Sequence, residues 1–259
     1  QNIIGGVEAT PNEFPFLVSL SFHGKVGNTT YNGDSQCGGS ILDATHILTA
    51  AHCTYDVPAA NMKIKVNIFD QKDSTSVHQI QVASKKVHEN YASRTETNDI
   101  SILTLAEPIK TEYLKPINLA DAEVMTNAAQ AGQYATVSGW GNMTDTQNNA
   151  EYVYPDKQRK VDVPVVSNQT CKAAGRVYSK IPDTVLCAGY ETAGKDSCAG
   201  DSGGPLFDKA GNVIGVAVAK ASLWAFLEAF GTLPENVNFG IKPSVVKTFL
   251  DSNNIKYTT

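Results

Sequence analysis

Short apolar segments separated by Gly, Asn, Asp and Pro recur along the 259-residue chain and restrict the folds open to it. In several of them apolar and polar residues alternate with a period of two, as in a strand with one buried face. Many short strands bounded by turn residues predict an all-β domain of the sandwich or barrel type. The clearest predicted strands are residues 16–20, 40–42, 64–68, 100–105 and 161–163.

The C-terminal part of the chain has a helical pattern. Pro243 suits the first turn of a helix, and four apolar residues after it fall on one helical face. These residues are Val245, Val246, Phe249 and Leu250. We therefore predict a helix over residues 243–254, packed on the β domain. Residues 221–230, rich in Leu, Trp and Phe among small residues, are a second helix candidate.

Charge and hydropathy exclude two classes of partner. The chain has 21 basic and 26 acidic residues, a net charge of −5, and so lacks the basic surface expected of a nucleic-acid-binding protein. Its longest apolar stretch, residues 213–231, is interrupted by Lys220 and Glu228. A membrane-spanning helix needs roughly 18 or more apolar residues in a row, so we predict no membrane span.

Cysteines and glycosylation motifs indicate the compartment. Five cysteines leave one unpaired if two disulfides form, and counting alone allows fifteen arrangements. Asn-x-Thr motifs begin at Asn28, Asn142 and Asn168, and each of them is weak evidence alone. We find no signal-peptide pattern, so we expect the chain to start after any such segment. Together these features predict a secreted, extracellular glycoprotein.

Three segments carry residues with catalytic chemistry. His52 follows an apolar strand in TAAHC (49–53), Asp99 precedes another in NDISIL (98–103), and Ser202 lies in the glycine-rich GDSGGP (200–205). Taken singly, a histidine at a strand end, an acid before a strand and a serine turn are ordinary surface features. Together they meet the needs of nucleophilic catalysis, because a serine hydroxyl needs a base and that base needs a third group to orient it.

The longer motifs around these residues resemble the chymotrypsin/trypsin family of serine proteases. The order histidine, aspartate, serine is that of the family, and the resemblance covers about residues 3–207. It implies one peptidase domain over residues 1–259, made of two six-stranded antiparallel β-barrels at 3–120 and 121–242, with a C-terminal helix. The matching motifs are IIGG (3–6), CGGSIL (37–42), TAAHC (49–53), SGWG (138–141) and DSCAGDSGGP (196–205).

The resemblance also implies a role for each site residue. Ser202 is the nucleophile, His52 the general base and Asp99 the group that orients His52, as in the family's well-studied triad. The N–H groups of Gly200 and Ser202 form the oxyanion hole. Asp196 forms the floor of the specificity pocket and selects Lys or Arg, since a buried carboxylate needs a cationic partner. The alternative for Asp196 is a solvated loop residue.

Activation and disulfides follow from the same resemblance. Family members are cut before the residue equivalent to Ile3, whose new amine pairs with the equivalent of Asp201. Gln1 and Asn2 precede Ile3 in this sequence, so we expect a zymogen or an incompletely matured form. The resemblance implies the disulfides Cys37–Cys53 and Cys171–Cys187. It leaves Cys198 unpaired, because the family's partner cysteine is missing.

After Leu206 the sequence departs from the family. VAVAK (216–220) replaces the expected Ser-Trp-Gly stretch, and NVNFGIK (236–242) resembles HtrA-like bacterial trypsin-fold proteases. The departure bears on specificity, because Lys220 would neutralise Asp196 if it lay beside it, and Val237 would narrow the pocket if it replaced a glycine there. Residues 223–230 resemble an insertion, and we weigh two roles for them: a helix covering the second barrel, or an exposed binding surface.

We therefore expect a secreted serine endopeptidase that acts on proteins or peptides, with Lys or Arg as the favoured residue before the cleaved bond. The alternatives are a catalytically silent homologue that binds a partner, and a secreted esterase, although esterases with this triad usually use another motif. We expect a monomer, proteinaceous inhibitors, and neither nucleic-acid nor membrane partners. No cofactor or metal is predicted, because Asp70 and Asp73 form an incomplete calcium pattern and the five histidines are scattered.

Overall fold

Two barrels of antiparallel strands make up the protein. The computed structural model describes residues 6–75, 77–93, 97–130, 132–143, 153–173, 179, 181–189, 201–218 and 237–259. The all-β architecture with a C-terminal helix that the sequence predicts is confirmed. None of the described helices is long and apolar enough to cross a membrane.

The first barrel closes through six strands in the order β2, β3, β4, β7, β6, β5. Its alternating strands direct apolar side chains inward, as in Met62–Val66, where buried and half-buried residues alternate. Inside lies a core that contains Leu20, Ile64, Ile80 and Leu103. The six strands are β2 (Leu17–Val26), β3 (Thr29–Ile41), β4 (His46–Thr49), β5 (Met62–Val66), β6 (His78–Val87) and β7 (Ser101–Leu105).

The second barrel closes in the same way through β9, β10, β11, β14, β13 and β12. Two short strands join its edges: β1 pairs with β10, and β8 pairs in parallel with β13. Its core contains Val137, Val163, Leu186 and Ile214. The strands are β1 (Val7–Glu8), β8 (Asn118–Leu119), β9 (Tyr134–Gly139), β10 (Arg159–Val166), β11 (Val185–Gly189), β12 (Pro205–Phe207), β13 (Asn212–Val218) and β14 (Val237–Ile241).

Three α-helices and two 3-10 helices complete the described elements. Helix α3 has Pro243 in its first turn and buries Val246, Phe249 and Leu250, as its apolar face predicts. In helix α1 the Asp121 side chain caps the first turn by accepting from Val124 N. The helices are α1 (Ala122–Ala128), α2 (Asn168–Ala173) and α3 (Pro243–Ser252), and the 3-10 helices are Ala59–Asn61 and Thr111–Tyr113.

A shared core joins the two barrels. Leu48 and Ile102 of the first barrel pack in one cluster with Val216 and Ile241 of the second and with Phe249 of α3. A polar contact outside this core also joins the barrels, because Trp140 Nε1, next to β9, donates to the Phe69 carbonyl at 3.0 Å. The apolar face of α3 therefore helps to fix the angle at which the barrels meet, and the site lies between them.

The structure extends and refines the predicted elements. The strand predicted at 16–20 is the start of the ten-residue β2, which continues through polar residues into a long hairpin with β3. After Phe22 every residue of the extension is half-buried or exposed, so alternation of buried apolar residues could not reveal it. The second helix candidate, 221–230, lies outside the described residues. The division of the chain at residue 120 stays a prediction, and β1 and β8 pair with the second barrel although they precede it.

Candidate active site

His52 lies in a tight turn directly after the buried strand β4. The strand carries Ile47 and Leu48, both fully buried, so its register is fixed and the chain leaves the barrel at Thr49. The turn closes where the N–H groups of Thr54 and Tyr55 both donate to the Ala51 carbonyl at 2.9 Å. His52 keeps 19% of its side chain exposed, so its ring borders solvent while its backbone is anchored.

Both carboxylate oxygens of Asp99 bind His52. Oδ1 accepts from His52 N at 2.8 Å, and Oδ2 accepts from His52 Nδ1 at 2.7 Å. Asp99 is completely buried and stands two residues before β7, which pairs with β4. A buried carboxylate that accepts from Nδ1–H fixes the ring tautomer, so Nε2 is the nitrogen that accepts a proton. The pair therefore holds the imidazole in one orientation, with Nδ1 toward Asp99.

Ser202 occupies a turn held by main-chain hydrogen bonds. Its carbonyl accepts from Gly38 N, and Gly203 N donates to the Ala217 carbonyl, both at 2.8 Å. Gly203 has φ +82°, and a Cβ there would lie 2.2 Å from Thr49 Oγ1 and 2.6 Å from the Gly38 carbonyl oxygen. Only glycine fits this conformation and this space, which explains the glycine after Ser202.

A disulfide ties the histidine turn to β3 and lies beside the serine turn. Cys53, next to His52, is bonded to Cys37 on β3. The Cys53 sulfur lies 3.6 Å from His52 Nε2 and 3.8 Å from the Ser202 carbonyl oxygen. The structure therefore brings His52 and Asp99 of the first barrel to the loop that carries Ser202 before β12 of the second.

The carboxylate of Asp201 points toward the end of β9. It is 1% exposed, and its Oδ1 accepts from Gly141 N at 2.8 Å. A Cβ on Gly139 or Gly141 would approach an Asp201 oxygen to 2.4 Å. The glycines of the SGWG motif therefore leave space for this carboxylate, which stands directly before Ser202.

Comparison with known proteins identifies the family. A sequence model of the family described as Trypsin matches residues 3–223. The chain belongs to the trypsin family. It is 37% identical to a venom protease of Bombus pensylvanicus over 214 aligned residues. The alignment covers 79% of this chain and 81% of the relative. It is 36% identical to trypsin delta of Drosophila erecta, over 83% of this chain and 76% of the relative. The serine proteinase stubble of Drosophila melanogaster is 35% identical over 79% of this chain, but that match spans 25% of the relative.

As a trypsin-family member with these relatives, the protein is a serine endopeptidase, a hydrolase. The family match ends at residue 223, before β14 and α3. β14 nonetheless completes the second barrel, because it pairs with both β11 and β13.

Several residues that the family resemblance singles out lie outside the described residues. They include Ile3, Asp196 and Gly200. The C-terminal segments that resemble HtrA-like proteases also lie partly outside the described residues. The second disulfide, Cys171–Cys187, is present and links α2 to β11. Val237 opens β14 opposite Gly189. The others outside the description are Cys198, Lys220 and residues 223–230.

The described residues offer no convincing metal site. One group of three candidate ligands, Cys37, His52 and Cys53, lies within 4.8 Å. Its sulfurs are joined in a disulfide, and the thiolate is the form of cysteine that binds metals. Asp70 and Asp73 each accept from a backbone N–H two residues on, of Lys72 and Thr75. These are the contacts of ordinary Asx turns.

Sequence reasoning missed three residues that support the trypsin-family site. Thr49 Oγ1 donates to the Gly38 carbonyl at 2.8 Å, and Gly38 N in turn holds Ser202. Both lie inside recognised motifs, so their position was a usable signal. Lys85 on β6 donates to three carbonyls of the turn that follows His52. Nothing distinguishes Lys85 in the sequence, where it is one lysine in an alternating strand.

Proposed function

We propose that the protein hydrolyses proteins or peptides on the carboxyl side of Lys or Arg, with Ser202, His52 and Asp99 as its catalytic triad. One observation supports this most strongly: both oxygens of the buried Asp99 carboxylate bind His52, one at Nδ1 and one at the backbone N–H. A hydrogen-bonded, buried carboxylate with a histidine beside a serine turn matches the needs of an activated nucleophile.

The proposed reaction has two halves, acylation and deacylation of Ser202, and His52 moves one proton in each of them. Ser202 Oγ bonds to the carbonyl carbon of the substrate while His52 Nε2 takes the hydroxyl proton. The N–H groups of Gly200 and Ser202 stabilise the oxyanion. His52 then gives that proton to the leaving amine as the C–N bond breaks, which leaves an acyl ester on Ser202. A water molecule, deprotonated by His52, bonds to the ester carbonyl carbon. His52 then returns that proton to Ser202 Oγ as the acyl C–O bond breaks, which releases the carboxylic acid product and restores Ser202. Asp99 stabilises the imidazolium in both halves.

Specificity for Lys or Arg depends on Asp196. A carboxylate at the floor of a pocket pairs with a cationic side chain, and substrates with Phe or Ala leave it unpaired. Lys220 and Val237, in the tail that we infer to be HtrA-like, are the residues that would alter this preference. Kinetics on matched peptides with Lys, Arg, Phe or Ala before the cleaved bond test the assignment. A preference for Phe or Ala refutes it.

Activation requires a new amine at Ile3. Cleavage before Ile3 supplies a cation for Asp201, whose carboxylate already faces Gly139 and Gly141. A chain that retains Gln1 and Asn2 is then a zymogen or an incompletely matured form. N-terminal sequencing of the most active fraction tests this proposal, and full activity with Gln1 attached refutes it.

We infer that the protein is secreted and acts as an extracellular monomer, open to proteinaceous inhibitors. The two disulfides and the names of the venom and trypsin relatives support the extracellular location. Among the glycosylation motifs, Asn28 is exposed at the β2–β3 turn. Asn142 is 3% exposed and accepts from Val153 N, so a glycan does not fit there in the folded protein. The expected glycan on Asn28 is measurable as a mass loss on enzymatic deglycosylation.

The rival function is a catalytically silent homologue that binds a partner. A fluorophosphonate separates the two, because it bonds to a serine only when a base activates that serine. We expect labelling after cleavage before Ile3 and loss of labelling in Ser202→Ala. A trimmed, folded protein that resists the reagent and cleaves no peptide favours the rival.

A further inference from the structure

The Lys85 side chain binds the turn that carries His52. Its Nζ donates to the carbonyl oxygens of Thr54, Tyr55 at 3.0 Å and Val57 at 2.7 Å. An ammonium group has three protons, and the three carbonyls match them in number. Partial burial lowers the pKa of Lys85, while the nearby Asp56 carboxylate raises it. Lys85 therefore forms a three-point contact with one short stretch of main chain.

The three carbonyls lie at the C-terminal side of the His52 turn. The N–H groups of Thr54 and Tyr55 donate back to Ala51, so the carbonyls of these two residues point onward, away from the turn. Carbonyls at the end of a helical turn carry partial negative charge, and a lysine bonded to them is stabilising. On the opposite side of the turn, the Asp99 carboxylate accepts a hydrogen bond from His52 N.

The two charged groups come from neighbouring strands. Lys85 pairs with Leu103 in the β6–β7 ladder, and Asp99 stands just before β7. The same strand pair therefore sets the distance between the carboxylate and the ammonium. The His52 turn lies between them, with its one covalent link to β3 at Cys53.

We propose that Lys85 is a positioning residue for His52: its three hydrogen bonds fix the C-terminal side of the turn and so hold the imidazole at its working distance from Ser202. The proposal rests on the proposed role of His52 as the general base. It assigns to Lys85 no contact with substrate. A small displacement of a catalytic group lowers the rate of chemistry far more than it lowers substrate binding, so the effect belongs in kcat.

The same contact also places an exposed aromatic side chain. Tyr55, whose carbonyl binds Lys85, is 50% exposed, and its ring centroid lies 5.7 Å from that of Tyr91. A loosened turn therefore shifts Tyr55 together with His52. A short peptide substrate that ends at the cleaved bond separates these effects from contacts made by longer substrates.

Lys85→Met tests the proposal, because methionine keeps much of the apolar stem and loses the ammonium. The control is Lys86→Met, one residue along β6, where the side chain is exposed. Both are measured in the mature enzyme for kcat and KM on a short peptide, for the rate and end point of fluorophosphonate labelling, and for Tm. We expect kcat and the labelling rate of Lys85→Met to fall about ten- to a hundredfold, with KM within about twofold.

The labelling end point distinguishes positioning from folding. A structural role alone lowers the fraction of protein that labels, or Tm, and leaves kcat per labelled site unchanged. We expect Lys86→Met to match the wild type, and Lys85→Arg, which keeps a cation and several donors, to recover most of the lost kcat. Unchanged kcat per labelled site in Lys85→Met overturns the proposal, as does an equal loss in Lys86→Met.

Two further outcomes are informative. If Lys85→Met does not fold, Lys85→Gln takes its place, and a wild-type kcat per labelled site in that variant overturns the proposal. If the wild-type mature enzyme neither labels nor cleaves peptide, the proposed function fails and the role of Lys85 fails with it. An active wild type beside a fully active, folded Lys85 variant removes only the positioning role.

Discussion

The turn that carries His52 and the turn that carries Ser202 are held by different means. Charged side chains hold the first: Asp99 binds one side of it and Lys85 the other. Main-chain hydrogen bonds hold the second, from Gly38 N to Ser202 O and from Gly203 N to Ala217 O. One site therefore combines a turn that depends on side-chain chemistry with a turn that depends on the space left by glycines.

This difference predicts which substitutions damage each side. Near His52, a substitution that removes a charge at constant size removes a charged hydrogen bond to the turn and creates no steric clash. Near Ser202, the addition of one carbon atom is enough to distort the turn, because the protein interior is closely packed and main-chain atoms do not move aside easily. The following variants test this contrast, in order of decreasing expected effect.

Gly203→Ala has the largest expected effect. Its Cβ would meet Thr49 Oγ1 at 2.2 Å, the Gly38 carbonyl at 2.6 Å and the Ala50 nitrogen at 2.8 Å, at a φ of +82°. We expect the free energy of unfolding to drop by about 4 kcal/mol or more, with no measurable activity. The control is Gly211→Ala, at φ +85° with nothing within 4 Å. That variant isolates backbone strain and costs about 1–2 kcal/mol. Equal losses in urea unfolding would show that crowding at Gly203 is unimportant.

Asp99→Asn removes the charge on the His52 side at nearly constant size. The same substitution in the family's well-studied triad lowers kcat by about 10⁴, and we expect a loss of that order with a folded protein. Asp43→Asn is the matched control, because Asp43 also accepts from a histidine, His46 Nδ1, at 2.9 Å, but on the surface. Steady-state kinetics measure both variants. A loss of kcat in Asp43→Asn as well would remove the distinction between the two histidine–aspartate pairs.

How far the sequence predicts this site depends on which kind of contact is involved. His52, Asp99 and Ser202 lie in motifs whose order is specific to one family, so their proximity was predictable. The glycine at 203 was predictable as a loop glycine, but its contact with Thr49 and Gly38 depends on how the barrels pack. Lys85 was not predictable, since β6 register and turn geometry decide where its ammonium lies. Long-range side-chain to backbone contacts leave no local pattern.

Gly141→Ala tests whether the Ser202 turn depends on Asp201. The new Cβ would lie 2.4 Å from Asp201 Oδ2, so the carboxylate must move, and Ser202 is the next residue. We expect kcat to fall about a hundredfold with the protein still folded. Gly215→Ala on β13 is the control, since a Cβ there meets its nearest atom at 3.4 Å, an ordinary contact. Normal kcat in Gly141→Ala would mean that Asp201 does not transmit strain to the serine turn.

The smallest expected effect is a loss of stability at acidic pH that originates from His88, which contacts the segment next to Asp99. His88 N donates to the carbonyl of Ile100, the residue after Asp99. The centroid of the His88 ring lies 4.8 Å from that of Phe249 in α3, with the two rings tilted. Burial lowers the pKa of His88, partly offset by Glu89, and its Nδ1 accepts from Asn90 N at 3.1 Å. Protonation at Nδ1 would break that hydrogen bond.

The unfolded chain, with a histidine pKa of about 6.5, therefore binds this proton more tightly than the folded chain does. The contribution of His88 to stability is complete above about pH 6.5 and is lost as pH falls through its lower folded pKa. His88→Gln keeps an acceptor without titrating, so we expect its Tm to fall less than that of the wild type between about pH 7 and pH 5. His23 and His78, whose pKa values are also lowered by burial, contribute equally to both proteins and cancel in the difference. Parallel Tm curves for the two proteins would show that protonation of His88 does not destabilise the segment that leads to Asp99.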